Sequence, residues 1–512
     1  MKSQTVTHIV IVGGGTAGWL SAALLAASAQ NAPQYPLRVT LVESPNIPTI
    51  GVGEGTWPSM RSSLQAIGIK ESQFLSRCSA SFKQGTEFIG WNHASHHYVH
   101  PFTVAEVAAD IPAGQHWSAQ QDSVPFADRF SVQGLLAKEG LAPKQATTPE
   151  YAFALNYGYH LNAGEFAELL REHSVENLGV ELLRTNLQSV DVSEQGIESL
   201  MLESGQTITA DLFVDCTGSR SLLLGEALGI ANESVADVLF NDRAVAIQAP
   251  YSSDSEAIPS LTKATAHDEG WIWDIALQTR RGTGIVYSSR HLSEAEAEQR
   301  LRDYLEQTGV GAVQTLDAKH LEFNPSHKKQ FWHKNCVAIG MAAGFLEPLE
   351  ATAIVLVEES AKFIARNLPC ATASLPILAT QFNRKFLAHW ENIVEFLKLH
   401  YVFSQRDSDY WQDHINPDSW PMGLADKLAL WGNRQPSTDD FASNALFPSA
   451  SYQYIFYGIT GNSQPLQCSE RDHQQLVTLI EDIQRRQQKY RQGLPTNRAL
   501  LQSLISAKTS IL

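Results

Sequence analysis

Two glutamates stand where an apolar helical stretch begins. Glu347 and Glu350 bracket a proline and a leucine in GFLEPLEATAIVLVEESAKF, residues 344–363. Pro348 suits the first turn of a helix, because its missing N–H would be unpaired there anyway. This predicts that Glu347 lies at the helix boundary and Glu350 in the first turn. Acidic side chains at this place can serve the helix dipole alone, or one carboxylate can accept a proton in a reaction.

The same helix start can bind an anion. The first amides of an α-helix have no partner within the helix, and here they include those of Thr352 and Ala353. Free amides and the positive end of the helix dipole together attract negative charge. A carboxylate beside such a site would repel the anion, so we expect Glu350 to point to the other side of the helix start.

A glycine-rich loop near the N-terminus points to nucleotide chemistry. Gly13, Gly15 and Gly18 form GxGxxG between the apolar stretch HIVIVG and the alanine-rich stretch TAGWLSAALLAASA. The glycines permit a tight turn, a close approach to a pyrophosphate and close helix–strand packing. Glu43 ends the next predicted strand, where an acidic residue binds ribose hydroxyls. This combination predicts a dinucleotide site in a βαβ unit.

The loop alone does not distinguish FAD from NAD, because both dinucleotides use it. The chain returns late to an apolar strand, a glycine turn at Gly340 and a helix, and DCTG at residues 215–218 fits the middle of such a fold. This return favours FAD, since its pyrophosphate and ribitol need contacts from distant segments.

Composition limits the classes of function. The 512 residues are 43% apolar and 18% charged, with a net charge of −16, which argues against nucleic acid as a partner. The five cysteines are widely spaced without a CxxC pair, which predicts a reduced, cytoplasmic protein. The N-terminal residues predict a strand and a glycine loop rather than a signal peptide. No apolar run is long enough to predict a membrane span.

The stretch HASHHYVH contains four histidines, a residue type that often binds metal ions. His93, His96, His97 and His100 have no carboxylate or cysteine at a metal-binding spacing, and the neighbourhood predicts a loop. We therefore predict no metal site. Farther along, GWIWDIALQTRRGTGIVYSS predicts two strands joined by a turn at residues 280–284.

Several motifs along nearly the whole chain resemble those of the flavin-dependent halogenases, in the tryptophan halogenase family. One departure is Ala276, which stands where the family's WxWxIP signature has proline, and another is Ala353, where the family usually has glycine. The matching segments are GGGTAGW (13–19), IGVGEGTWP (50–58), SFK (81–83), GWIWDI (270–275), GFLEPLEATA (344–353), LHY (399–401) and DSDYW (407–411).

The resemblance implies an α/β fold: an FAD-binding, Rossmann-like body similar to glutathione reductase and aromatic hydroxylases, with a mostly helical C-terminal substrate region. We expect the body in residues 1–369, with interleaved substrate-region insertions, and the substrate region in residues 370–512. It also implies FAD, used as FADH2 from a separate flavin reductase, and a halide ion, chloride or bromide. A homodimer is compatible with the sequence.

The chemistry that the resemblance implies is halogenation of an electron-rich aromatic ring. Hypohalous acid forms at the flavin, Lys83 directs the electrophilic halogen onto a ring carbon, and Glu350 takes up the ring proton. The resemblance further implies roles for a larger set of residues. These are cofactor binding by Gly13, Gly15, Thr16, Ala17, Gly18, Glu43, Gly51, Val52, Gly340, Met341 and Ile354, halide binding by Thr352 and Ala353, substrate stacking by His100 and Phe102, and gatekeeping by Trp271 and Trp273.

Each role has a plainer alternative on residue type alone. Lys83 could be a solvated surface lysine, Trp271 and Trp273 could be core residues on one face of a strand, and His100 could be a loop histidine. The aromatic stretch SYQYIFYGITG (451–461) lacks the tryptophan expected for a free tryptophan substrate. A simpler indole, or an indole or phenol within a larger molecule, is an equal alternative. A flavin-dependent aromatic monooxygenase and a flavin-binding protein without turnover are the competing functions.

Overall fold

The structure is a computed structural model that describes residues 5–47, 53–106, 114, 117, 124–460 and 469–509. It divides into two compact units, each assembled from three stretches of chain. The first comprises Met1–Ala80, Leu161–Val235 and Asn324–Trp390, and the second comprises Ser81–His160, Ala236–Phe323 and Glu391–Leu512. The functional division at residue 369 stays a prediction.

Strands and helices are numbered here in chain order. The strands are β1 (His8–Val12), β2 (Arg38–Glu43), β3 (Gly53–Gly55), β4 (Ser81–Lys83), β5 (Gly85–Ile89), β6 (His97–Pro101), β7 (Gly158–Asn162), β8 (Glu181–Arg184), β9 (Leu187–Ser193), β10 (Gly196–Leu202), β11 (Thr207–Ile208), β12 (Leu212–Asp215), β13 (Asn232–Ser234), β14 (Arg243–Pro250), β15 (Thr262–His267), β16 (Gly270–Ala276), β17 (Arg280–Tyr287), β18 (Ala318–Glu322), β19 (Ser326–Lys328), β20 (Trp332–His333), β21 (Cys336–Ala338) and β22 (Gly344–Phe345). The α-helices are α1 (Thr16–Gln30), α2 (Ser59–Ile67), α3 (Glu71–Arg77), α4 (Phe126–Phe130), α5 (Val132–Lys138), α6 (Ala163–Glu176), α7 (Glu294–Gln307), α8 (Thr352–Arg366), α9 (Leu375–Leu399), α10 (Asp409–Ile415), α11 (Met422–Trp431), α12 (Ser449–Thr460), α13 (Glu470–Gly493) and α14 (Asn497–Thr509).

The first unit is built on a mostly parallel sheet in the order β20-β21-β12-β1-β2-β8. Every residue of β1 is buried, as expected for a central parallel strand covered on both faces. β1 pairs with β2 on one side and with β12 on the other, both in parallel. This arrangement confirms the predicted βαβ unit and the α/β fold class.

The second unit is built on a seven-stranded sheet in the order β18-β14-β17-β16-β15-β5-β6. Its core lies where α7 packs on this sheet, and the buried contacts include Val245, Ile272 and Leu301. The predicted turn at residues 280–284 is wrong, because these residues belong to β17 and the chain reverses between β16 and β17. Gly284 serves packing: a Cβ there would lie 2.1 Å from the Trp273 ring.

The helical character predicted for the C-terminal part is confirmed. The apolar periodicity after residue 369 forms α9, and the polar tail forms α13 and α14. Within the second unit, α13 packs on α5 through Ile483, Val132 and Leu136. Among the described residues, no helix is long and apolar enough to cross a membrane.

Candidate functional site

The glycine loop between β1 and α1 has little room for side chains. Gly13 has a φ of +120°, and a Cβ there would lie 2.1 Å from the Cys216 carbonyl oxygen. A Cβ on Gly18 would lie 1.8 Å from the carbonyl oxygen of Gly13. Gly15 faces open space within 4 Å. The loop therefore closes tightly on the protein at Gly13 and Gly18 and stays open at Gly15, where a ligand would approach.

The start of α1 suits an anionic group. Thr16 and Ala17 begin the helix, no side chain caps it, and its first turn contains no acidic residue. Its first amides are thus available to a pyrophosphate.

Glu43 ends β2 beside this helix start, as the sequence predicts. Its Oε2 atom is buried and makes no hydrogen bond to the described residues. Burial raises the pKa of the carboxyl, and the charges of Arg184 and Arg171 act against this shift. An orphaned buried acceptor fits the ribose hydroxyls of a dinucleotide, which would supply the missing donors.

The late glycine turn lies against the same helix. Gly340 has a φ of +69°, and a Cβ there would lie 2.7 Å from the Cβ of Ala17. Met341 beside it is 41% exposed, and Ile354 on α8 is buried. The structure thus brings Gly340 to the start of α1. Gly51 and Val52 lie outside the described residues.

Glu350 lies in a strained turn rather than in the first turn of α8. Glu350 and Ala351 have φ values of +65° and +55°, a left-handed conformation that costs a residue with a Cβ roughly 1–2 kcal/mol. The α-helix begins only at Thr352, so the prediction that Pro348 opens the helix is wrong. Trp57 Nε1 donates a hydrogen bond of 2.8 Å to the carbonyl oxygen of Glu350, which fixes the turn.

Glu347 and Glu350 are both buried. Glu350 is 5% exposed and Glu347 is 2% exposed, and the helix-dipole interpretation of Glu347 stays a prediction. Ala351 precedes α8 without a side-chain cap, and Thr352 and Ala353 are its first residues. Thr352 is buried and Ala353 is exposed, and halide binding by their amides stays a prediction.

Lys83 is a buried lysine in the second unit. It ends β4, it is 2% exposed, and its Nζ atom lies 5.5 Å from the centroid of the Phe102 ring. Burial excludes the solvated surface lysine that residue type alone allows. A desolvated amine over an aromatic face is held by a cation–π contact, so this side chain has a defined direction.

His100 and Phe102 are brought to the same part of the second unit. His100 belongs to β6 and is buried, with its ring 5.6 Å from Phe396 and 6.1 Å from Tyr454. The predicted loop is therefore wrong from His97 onward. The amide of Phe102 donates to the carbonyl of Gln84, 2.9 Å away, which joins the Phe102 segment to the chain directly after Lys83.

Trp271 and Trp273 are both buried on β16, with their ring centroids 6.4 Å apart. Trp271 also lies 6.0 Å from Trp91. These contacts fit the core interpretation, and the gatekeeper role stays a prediction. The carbonyl of Ala276, at the position of the signature proline, accepts a hydrogen bond from the Ser81 hydroxyl, so the end of β16 holds the start of β4.

Three residues near these sites were missed from the sequence. Trp57 lies within the motif IGVGEGTWP (50–58), but only the fold brings its indole N–H to the Glu350 carbonyl. Tyr454 lies in the aromatic stretch 451–461 and meets His100 through folding. His160 stands in an ordinary strand, GYHLN, with no motif to mark it.

The described residues contain no cluster of three or more histidine, cysteine or carboxylate side chains that could hold a metal ion. The described cysteines Cys78, Cys216, Cys336 and Cys370 are free thiols.

Comparison with known proteins agrees with the motifs. The family model described as Tryptophan halogenase matches residues 8–471. The crystal structure of a tryptophan halogenase from Shewanella frigidimarina NCIMB 400 is similar, with a TM-score of 0.94 and 44% identity over 98% of each chain. Tar14, a tryptophan C-6 flavin-dependent halogenase from taromycin biosynthesis, has a TM-score of 0.90 and 31% identity over 97% of this chain and 99% of its own. The 7-chloro-L-tryptophan 6-halogenase KtzR of Kutzneria sp. (strain 744) is 33% identical over 88% of this chain and 90% of its own. The chain therefore belongs to the tryptophan halogenase family and is a flavin-dependent halogenase.

Proposed function

We propose that this enzyme uses FADH2, O2 and a halide to form hypohalous acid, and delivers the electrophilic halogen through Lys83 to a small electron-rich aromatic compound. The observation that carries the proposal is Lys83 itself. Its ε-amino group is buried and aimed at an aromatic ring, in a chain of the halogenase family.

The first unit has the residues to hold FAD. The open Gly15, the uncapped start of α1 and the unpaired Oε2 of Glu43 fit a pyrophosphate and a ribose. Bound FADH2 would supply, with O2, the oxidising equivalents that convert halide to hypohalous acid. The amides of Thr352 and Ala353 would bind the halide.

Lys83 controls where the halogen goes. Its amine can hydrogen-bond the hypohalous acid or carry the halogen as a haloamine, and either holds the electrophile at a fixed place. The carbon–halogen bond forms with an electron pair of the ring as the oxygen–halogen or nitrogen–halogen bond breaks. The ring then loses a proton. In the direct route the hydroxide released from the hypohalous acid leaves as water. In the haloamine route water leaves when the haloamine forms, and the lysine nitrogen takes up a proton as the nitrogen–halogen bond breaks.

Glu350 would take up the ring proton. A buried carboxylate is a suitable base for this step, and Trp57 together with the left-handed turn fixes the backbone that carries it. The energetic cost of the turn is consistent with a functional constraint at this residue.

The substrate we propose is tryptophan, an indole or a related small aromatic compound. Phe102, His100 and Tyr454 offer aromatic faces in the second unit, and similar enzymes are named for tryptophan. A separate flavin reductase would supply the FADH2. The free thiols fit a reducing compartment, and we expect the enzyme to work in the cytoplasm.

Product analysis with defined substrates tests the proposal. The enzyme is supplied with FADH2 by a flavin reductase, with bromide, air and either L-tryptophan, indole or phenol, and products are identified by mass spectrometry. We expect a brominated ring, and Lys83→Met should lower its formation by at least about 100-fold while flavin binding persists.

Lys144→Met is the matched control. Lys144 is also a buried lysine, but it lies over Phe82 and Tyr157, and Phe82 points to the opposite face of β4 from Lys83. Hydroxylated product without any brominated product would support a monooxygenase instead. Unchanged bromination in Lys83→Met would refute the role of this lysine.

A further inference from the structure

A buried histidine, His160, shares a face of a two-stranded ladder with Lys83. β4 and β7 are antiparallel, with Ser81 opposite His160 and Lys83 opposite Gly158. Paired residues lie on one face, and residues two apart on a strand return to that face. Since Gly158 has no side chain, His160 is the diagonal neighbour that flanks Lys83 from β7.

The imidazole of His160 is fixed and fully enclosed. It is 0% exposed, and its Nε2 atom lies 2.8 Å from the Thr262 hydroxyl. Its Nδ1 atom is buried as well, and the backbone of Ala276 lies close enough to raise the pKa of the ring. Both ring nitrogens are thus enclosed by the protein, which fixes the orientation of the imidazole.

The charge of Lys83 acts directly on His160. Burial lowers the pKa of His160 well below its ordinary value, the positive charge of Lys83 lowers it further, and the nearby carbonyl of Ala276 acts in the opposite direction. Two cations on one buried face would repel each other. His160 is therefore a neutral imidazole beside Lys83.

A buried lysine is held in one position only where neighbouring side chains pack against it. Its four-carbon stem is flexible and carries about 2 kcal/mol of rotamer entropy. The Phe102 ring lies 5.5 Å from the Nζ atom of Lys83, and Gly158, opposite Lys83 on β7, contributes no side chain to pack against its stem. The His160 ring, anchored by Thr262, is the next side chain of β7 on that face.

We propose that His160 is a positioning residue for Lys83: the ring, fixed by Thr262, holds the ε-amino group over Phe102 so that halogen is passed to the substrate rather than lost to solvent. This inference rests on the proposed function, because it needs Lys83 to carry the halogen. His160 takes no part in bond making or breaking.

The partition of halogen between ring and solution tests it. The holoenzyme receives FADH2 from a flavin reductase, with bromide and indole, in the presence of monochlorodimedone, which captures hypobromous acid that escapes. We compare His160→Leu, which removes the hydrogen bond, with His160→Gln, which can still bond to Thr262. Thr262→Val removes the anchor and leaves the ring.

We expect His160→Leu to lower bromoindole formation by on the order of 10-fold to 100-fold, while total oxidised bromide stays constant and the trapped fraction rises. His160→Gln should restore part of the indole product. Thr262→Val should shift the partition in the same direction by less, and it decides the question should His160→Leu fail to fold. The Lys144→Met control should keep the wild-type partition.

Two results would overturn the inference. One is a wild-type rate and partition in folded His160→Leu or Thr262→Val, and the other is a proportional loss of both products, which would indicate a merely structural role. Lys83→Met separates these from failure of the proposed function. If Lys83→Met brominates indole normally, the proposed function fails. If it does not, and the His160 and Thr262 variants behave as wild type, only this inference fails.

Discussion

Glu54 changes its charge near neutral pH. It lies partly buried on the short strand β3, and burial raises the pKa of its carboxyl from 4.5 to about 7. The folded protein therefore holds a proton that the unfolded chain releases between these two values. The contribution of this residue to stability consequently falls as pH rises from about 4.5 through 7.

We predict that Glu54→Gln removes this pH dependence. The variant should gain thermal stability relative to the wild type between pH 5 and pH 8, because the amide never ionises. Since Glu54 lies in the motif expected to contact flavin, the variant should also retain reduced flavin better above pH 7. Thermal unfolding and flavin titration at pH 5 and pH 8 measure these two effects. The exposed Glu194→Gln is the control, and an equal response of both variants would contradict the prediction.

At the scale of elements, two glycines of one loop should respond oppositely to the same methyl group. A Cβ on Gly18 would lie 1.8 Å from the Gly13 carbonyl oxygen, whereas a Cβ on Gly15 meets no protein atom within 4 Å. Gly15 also has φ −81°, which alanine adopts without strain. Gly18→Ala should thus destabilise the fold by at least about 2 kcal/mol, as overpacking does.

Gly15→Ala should fold normally and bind FAD at least about tenfold more weakly, because the methyl group enters the space left for the pyrophosphate. Urea unfolding of the apoprotein and flavin titration separate the two effects. Tight FAD binding by Gly15→Ala would show that the pyrophosphate does not lie against this residue.

Local pattern and long-range pairing explain which elements could be predicted. The β1–α1–β2 unit follows from neighbouring residues, since an apolar strand, a glycine turn and an alanine-rich helix are read within one short stretch. The stretch RRGTG predicts a turn, because glycine is the usual turn signal. In the structure Gly284 lies in a strand, where the Trp273 ring of the neighbouring strand leaves no room for a Cβ.

The same difference between local pattern and long-range pairing applies to the candidate site. Lys83 and Glu350 were identified through motifs, and their burial came only from the structure. His160 could not be found, because its place beside Lys83 depends on the register of β4 with a strand far along the chain. The left-handed pair at Glu350 and Ala351 was also missed, since alanine and glutamate rarely adopt that conformation.

At the scale of the whole molecule, buried neutral histidines oppose the folded state in acid. His389 is the clearest case: both ring nitrogens are buried without a hydrogen bond to the described residues, and the pKa is lowered from 6.5 to about 4. Burial is the main cause, the charge of Lys385 adds to it, and Glu359 opposes it. Between these values the unfolded chain binds the proton more strongly, so stability falls as pH falls.

Comparing the wild type with His389→Phe isolates the contribution of His389. Raised carboxyl pKa values elsewhere, such as that of Glu358, change the stability in the opposite direction, but they do so equally in both proteins. At pH 5 the wild type should lose about 2 kcal/mol of unfolding free energy through His389, relative to pH 7.5. The phenylalanine variant has no proton to bind there, so its stability advantage over the wild type should grow by that amount as the pH is lowered. Urea unfolding of both proteins at the two pH values measures the difference directly. A constant difference would mean that His389 titrates alike in the folded and unfolded chains, and that its ring nitrogens reach water in the folded protein.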